Sequence, residues 1–65
     1  MTYTELRRRL RRVGMRPIGQ GKRHERWMNP VTNATVMIPR HGSQEVPEGT
    51  LNHILRELGV NKDKL

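Results

Sequence analysis

One basic stretch decides how the whole chain is interpreted: Gly19-Gln20-Gly21-Lys22-Arg23-His24-Glu25-Arg26-Trp27. Its two glycines predict a turn, because glycine adopts backbone conformations that other residues avoid. The residues after the turn predict a β-strand over 23–29, with Trp27 as its buried anchor. Side chains alternate between the two faces of a strand. A buried Trp27 therefore places His24 and Arg26 together on the opposite, outer face.

A first amphipathic helix is predicted before this stretch. Residues 4–13 carry apolar side chains at helical spacing. Thr2 and Glu5 have the spacing of a capping box at the helix start. Gly14 suits the left-handed conformation that ends many helices.

Two further strands are predicted on either side of the central one. Residues 15–19 form the first, with Ile18 expected to face the core. Pro17 favours an edge position, because proline donates no hydrogen bond to a neighbouring strand. The turn-forming residues 29–33 lead to a third strand over 34–38, so that the second and third strands make an antiparallel hairpin.

A second amphipathic helix closes the domain. It begins at Pro47 or Glu48 and ends at Gly59, and the polar tail 61–65 is expected to fray. The element order predicts an α+β fold of the form α-β-β-β-α. In it, both helices cover one face of a three-stranded antiparallel sheet and the other face is open. With 65 residues, the chain is one domain, 1–65.

The composition favours a polyanionic partner. A net charge of +7 in so small a domain points first to nucleic acid, next to an acidic protein and then to an anionic membrane surface. The chain has no cysteine, and its three histidines do not have the spacing of a metal site. No apolar run is long enough to span a membrane, and the polar N-terminus does not resemble a secretory signal. We therefore predict a cytoplasmic protein without a metal or other cofactor.

Basic side chains concentrate in two places. The first predicted helix carries five arginines against one glutamate, and Arg7, Arg8 and Arg11 are candidates for phosphate contact. A solvated charged face is the other interpretation of that pattern. The second concentration surrounds His24, where the further candidates for RNA contact are Lys22, Arg23, Arg26, Arg40 and His41.

Several short motifs occur together along the chain. They are Gly14, Gly21-Lys22-Arg23-His24, Asn29-Pro30, Val36-Met37-Ile38-Pro39-Arg40-His41-Gly42, Pro47-Glu48-Gly49-Thr50-Leu51, Ile54-Leu55-Arg56 and Leu58-Gly59. This combination resembles the HicA toxins, small bacterial ribonucleases of type II toxin–antitoxin pairs. The resemblance covers nearly the whole chain. Each motif alone is weak, but the combination is fairly specific.

The resemblance carries several implications. It implies a fold like that of double-stranded-RNA-binding domains and an activity that cleaves messenger RNA. It implies neutralisation by a HicB antitoxin that covers the active site, and it allows a higher-order toxin–antitoxin complex. The family's catalytic histidine corresponds to His24. The family usually reads Lys-Gly-Ser-His-His at this site, whereas residues 21–25 read Gly-Lys-Arg-His-Glu.

The residue types around His24 suit RNA cleavage. RNA supplies its own nucleophile, so a ribonuclease needs a base for the 2′-hydroxyl, an acid for the leaving oxygen and cations for the phosphorane. Histidine serves in both proton transfers, since its reference pKa is about 6.5. We predict His24 as the general acid/base, with Lys22, Arg23 and Arg40 as candidates for a phosphate clamp. Ordinary affinity for phosphate explains each of these three cations equally well. His41 is a candidate second acid/base, and a structural Pro-Arg-His corner is the alternative.

A hypothesis from another class uses the same residues. A non-catalytic basic RNA-binding module of the same fold also explains the arginine-rich helix and the altered residues beside His24. It predicts salt-sensitive binding to structured RNA without cleavage.

Overall fold

A computed structural model describes residues 1–65. The elements in chain order are α1 (Tyr3–Arg12), β1 (Arg16–Gln20), β2 (His24–Met28), β3 (Thr35–Pro39), α2 (Glu48–Leu58) and a short 3-10 helix (Lys62–Lys64). The predicted α-β-β-β-α order is confirmed. Each predicted strand and helix is within one residue of its observed position, because the turn residues between them are strong local signals.

Both ends of α1 form as the sequence predicts, with one difference at the start. The Thr2 hydroxyl accepts a hydrogen bond from the Glu5 backbone N–H at 3.2 Å, which is half of the predicted capping box. The Glu5 carboxylate turns instead towards arginines one turn later. Gly14, just beyond the helix, has a φ of 98°. That left-handed conformation is unfavourable for any residue with a Cβ.

The three strands form one antiparallel sheet in the order β1-β2-β3. The β2–β3 hairpin is confirmed, with His24 opposite Pro39 and Met28 opposite Thr35. β1 is an edge strand, as Pro17 predicts. The central strand, β2, is therefore paired with a neighbouring strand on each side.

The prediction that Ile18 faces the core is wrong, since this side chain is 47% exposed. The register between β1 and β2 shifts between Pro17 and Gly19, which leaves Ile18 without a partner on β2. Such a bulge interrupts the alternation of side chains on which the prediction rested. Met15, just before the strand, is buried among the core residues.

Both helices cover the same face of the sheet, as predicted. Leucines of α1, the inward residues of β2 and β3, and the apolar stripe of α2 meet in a single cluster. Its members are Tyr3, Leu6, Leu10, Met15, Trp27, Val36, Ile38, Val46, Leu51, Ile54, Leu55 and Leu58. Trp27 is fully buried among them. The opposite face of the sheet is left uncovered by any element of the chain.

The end of α2 and the tail are held by backbone and side-chain hydrogen bonds. Gly59 has a φ of 72°, and its N–H donates to the Arg56 carbonyl at 3.2 Å. The tail 61–65, for which the sequence predicts fraying, contains a 3-10 turn. The Asn61 side chain caps this turn, and the Arg12 guanidinium donates to the Leu65 backbone oxygen at 2.8 Å.

Asn29 joins the β2–β3 turn to the end of α2. It is buried, and its side-chain N–H donates to the Leu58 carbonyl at 2.8 Å. Its side-chain oxygen accepts from the Val31 N–H at 3.0 Å. The Leu58 carbonyl belongs to the last turn of a helix, where carbonyls lack helical partners. Asn29 therefore satisfies groups on two elements that are far apart in sequence.

Replacing Asn29 by alanine should destabilise the fold. The change leaves the Leu58 carbonyl and the Val31 N–H without their partner, so we expect the free energy of unfolding to fall by about 1–3 kcal/mol. Urea denaturation followed by Trp27 fluorescence measures this. Asn52→Ala is the control, because Asn52 is exposed on α2. Equal stability of the two variants would contradict the role given to Asn29.

Candidate functional site

His24 is the first residue of β2, directly after the tip of the β1–β2 hairpin. The Gly21 N–H donates to the His24 carbonyl at 2.8 Å, which leaves Lys22 and Arg23 as the two residues at the tip. All of these side chains are exposed. The hairpin therefore fixes the backbone of His24 and keeps its imidazole in contact with solvent.

Arg40 is brought to the same hairpin from the end of β3. Its backbone N–H donates to the Arg23 carbonyl at 3.0 Å, and its guanidinium lies 3.5 Å from the Gly21 carbonyl. The pairing of His24 with Pro39 accounts for this position, since Arg40 follows directly. The three predicted clamp residues thus lie at the same hairpin as His24.

The uncovered side of the sheet, which we call the outer face, continues from His24. The strand alternation and register assign to it Arg16, His24, Arg26, Met28, Thr35 and Met37. Arg26 is exposed, lies opposite Met37, and its guanidinium is 3.4 Å from the Thr35 hydroxyl. None of these side chains is a carboxylate. The predicted sharing of one face by His24 and Arg26 is confirmed.

The predicted RNA-contact residues of α1 lie elsewhere and have partners within the protein. Arg7 is 3.7 Å from the Glu25 carboxylate and 3.4 Å from the Pro39 carbonyl. The Arg11 guanidinium lies over the Trp27 ring, 5.5 Å from its centroid. Both side chains therefore help to hold α1 against the sheet.

Arg8 is part of a charged cluster on the surface of α1. Arg8 and Arg9 both donate to the Glu5 carboxylate. Hydrogen bonds from Arg8 and then Arg9, assisted by their charges, lower the pKa of Glu5 to about 2. The hydrogen bond to Glu5 in turn raises the pKa of Arg8. Glu5 thus neutralises part of the arginine run.

His41 is placed with the start of α1. Its ring packs edge-to-face against Tyr3, with 5.7 Å between the ring centroids. The loop that carries His41 supplies acceptors for the first N–H groups of α1, since Tyr3 donates to the Gln44 carbonyl and Thr4 to the Gly42 carbonyl. These contacts agree with the structural interpretation of the Pro-Arg-His motif, while the exposed ring of His41 leaves its predicted role in RNA contact or proton transfer a prediction.

Two other features bear on function. No group of three or more histidine, cysteine or acidic side chains is arranged to hold a metal ion. None of the helices has both the length and the apolar character needed to cross a membrane.

Comparison with known families decides the relationship of the chain. A family model described as the HicA toxin of bacterial toxin–antitoxin systems matches residues 3–60. The chain belongs to the HicA toxin family. The match includes both α-helices and all three strands, so the resemblance read from the motifs is confirmed. Neither the curated proteins nor the solved structures gave a match.

Membership in the HicA family implies an antitoxin partner in general terms. The strong positive charge and the uncovered outer face are the features of this HicA chain that are available to a partner or to a substrate.

Glu25 is a site residue whose role the sequence interpretation missed. Its carboxylate accepts a hydrogen bond from the Trp27 indole N–H at 3.0 Å. The same oxygen faces Arg7 at 3.7 Å. The signal was present, since Glu25 and Trp27 are two residues apart on one strand and so share a face. Glu25 therefore anchors the buried indole on the core side of the strand that carries His24.

Removing the Glu25 acceptor should loosen the anchor of β2. In Glu25→Ala the Trp27 N–H loses its partner inside the core, and we expect the free energy of unfolding to fall by about 1–3 kcal/mol. Glu25→Gln keeps an acceptor oxygen and is the matched control, expected to lose less. Urea titration of the three proteins measures the difference. Equal losses in both variants would show that Glu25 stabilises the fold through its negative charge rather than through its hydrogen bond to the indole.

Proposed function

We propose that this HicA protein is a metal-independent endoribonuclease that cleaves messenger RNA, with His24 as its general acid/base. The observation that carries the proposal is the exposed His24 imidazole at the hairpin, beside the cations Lys22, Arg23 and Arg40. Cleavage of messenger RNA would place its action in the cytoplasm. Membership in a toxin family supports a harmful activity of this kind.

The chemistry follows from the needs of RNA transesterification. The neutral imidazole of His24 takes the proton of a 2′-hydroxyl, and the resulting oxygen attacks the adjacent phosphorus. The P–O5′ bond breaks as the new P–O2′ bond forms, which gives a 2′,3′-cyclic phosphate. The leaving 5′-oxygen receives a proton from the imidazolium or from water. Lys22, Arg23 and Arg40 stabilise the negative charge that builds on the phosphorane oxygens.

Replacing His24 by alanine should slow cleavage strongly without unfolding the protein. General acid–base groups contribute about 10²–10⁴-fold in rate, and we expect a loss in that range. The assay follows a labelled messenger RNA with a chelator present, and identifies 2′,3′-cyclic ends on the products. His53→Ala is the matched control, because His53 is an exposed histidine on α2. Induced expression should arrest growth for wild type and His53→Ala, but not for His24→Ala.

The same assay separates the two hypotheses. Equal cleavage by wild type and His24→Ala would refute the catalytic role of His24. RNA binding without cleavage by the wild-type protein would favour the non-catalytic module. That alternative draws support from Glu25, because the carboxylate that replaces the second histidine is bonded to Trp27 and unavailable for proton transfer to RNA.

The antitoxin should be an acidic HicB-type protein that associates by charge. The toxin carries +7, so attraction to a negative surface should speed the encounter. We expect the association rate constant in stopped-flow experiments to fall steeply as the salt concentration rises. The dissociation rate constant, measured in parallel, should change less. An association rate that does not respond to salt would exclude docking driven by charge.

A further inference from the structure

The cations of this protein divide into those already engaged by other groups and those that are free. Every arginine of α1 has an intramolecular partner. The pairs are Arg7 with Glu25 and Pro39, Arg8 and Arg9 with Glu5, Arg11 with Trp27, and Arg12 with Leu65. A polyanion that binds along α1 would have to compete with these contacts.

The cations of the outer face are free by comparison. Arg16 is exposed and is paired with no carboxylate. Arg26 reaches only the neutral Thr35 hydroxyl, at 3.4 Å. Because the outer face carries no acidic side chain, its charge is uncompensated. An anionic ligand would therefore compete with fewer intramolecular partners for these cations than for the arginines of α1.

The outer face also has open surface beside Arg26. Across the sheet, Gly19, Arg26 and Met37 lie in one row. A Cβ added at Gly19 would meet nothing within 4 Å, so the β1 side of the row is open. Met37, on the β3 side, is 44% exposed. The row thus combines an apolar contact, a cation and free space.

The outer face extends from the β1–β2 hairpin to the opposite end of the sheet. His24 and Met28 lie four residue steps apart on β2, which is about 13 Å at about 3.3 Å per residue. Arg16 lies opposite Met28 at that far end. Arg16 also lines an open cleft of about 430 Å³ together with Arg11. A chain of cations therefore leads from His24 past Arg26 to the cleft at the edge of β1.

We propose that the outer face binds an unpaired RNA strand that runs from His24 past Arg26 to Arg16. The arginines hold successive phosphates, and a base lies against Met37. The strand is unpaired because a base is free to contact an apolar side chain only when it has left the duplex stack. The inference rests on the proposed function in taking RNA as the substrate. It departs from the phosphate contact along α1 that the arginine run of that helix predicts.

The first test measures binding separately from cleavage. All proteins carry His24→Ala, and the probe is a labelled oligoribonucleotide without self-complementarity. Arg16→Gln and Arg26→Gln should each weaken binding about tenfold, the loss of one charged hydrogen bond. Each should lower the slope of log affinity against log salt by about 0.7. Arg56→Gln makes the same charge change at an exposed position of α2 and should have little effect.

The second test places a larger, negatively charged side chain in the open space beside Arg26. Gly19→Glu adds a carboxylate beside Arg26, at a position without a left-handed backbone and with open space for a Cβ. We expect it to weaken binding more than either arginine variant. Gly49→Glu is the matched control, because Gly49 on α2 also has nothing within 4 Å of an added Cβ. Thermal unfolding of both variants checks that they fold.

Competition between RNA forms completes the test. The unlabelled single strand should displace the probe at lower concentration than a duplex of the same sequence. Tighter duplex binding would overturn the proposal, and so would unchanged binding in the Arg16, Arg26 and Gly19 variants. Loss of antitoxin binding alone in those variants would also overturn it, in favour of an acidic protein on this face. These results leave the role of His24 untouched, since cleavage by proteins with His24 intact is measured independently.

Discussion

Burial of Trp27 is the constraint on which the rest of the structure depends. The indole is the largest side chain in the core and is fully buried. Burying it fixes which face of β2 points inward, because a strand that slips by one residue reverses every side chain. His24 and Arg26 are thereby directed outward, and Glu25 is directed inward to accept the indole N–H. The same side chain that stabilises a small core therefore also orients the proposed site.

The fold also decides which of the many cations are available. The sequence contains thirteen lysines and arginines, and their number alone does not identify a binding surface. Glu5 and Glu25 each form ion pairs with arginines of α1, and the Trp27 ring makes a cation–π contact with the Arg11 guanidinium. The carboxylates thus lie on the helical side of the sheet. The consequence is a molecule whose overall charge is spread over the surface, and whose outer face carries arginines without any carboxylate partner.

The local signals in the sequence were sufficient for the order of elements and for the outward position of His24. Gly14 and Gly59 ended the helices where a left-handed residue was needed. Contacts between distant residues were not predictable in this way. The bulge that exposes Ile18 arises from pairing with β2, and the bond from Asn29 to Leu58 links a turn to a helix end. The partners of Arg7 and Arg11 likewise depend on how α1 packs on the sheet.

The departures from the family motif fall at positions where the fold tolerates them. Lys22 and Arg23 replace small residues, but both lie at the exposed tip of a hairpin closed by the Gly21–His24 hydrogen bond. Neither substitution disturbs a strand. Glu25 replaces a histidine at a position that faces Trp27, and an imidazole there would lie beneath the sheet rather than on its outer face. The proton-transfer role that we propose therefore rests on His24, and Glu25 supports it indirectly by fixing the strand that carries it.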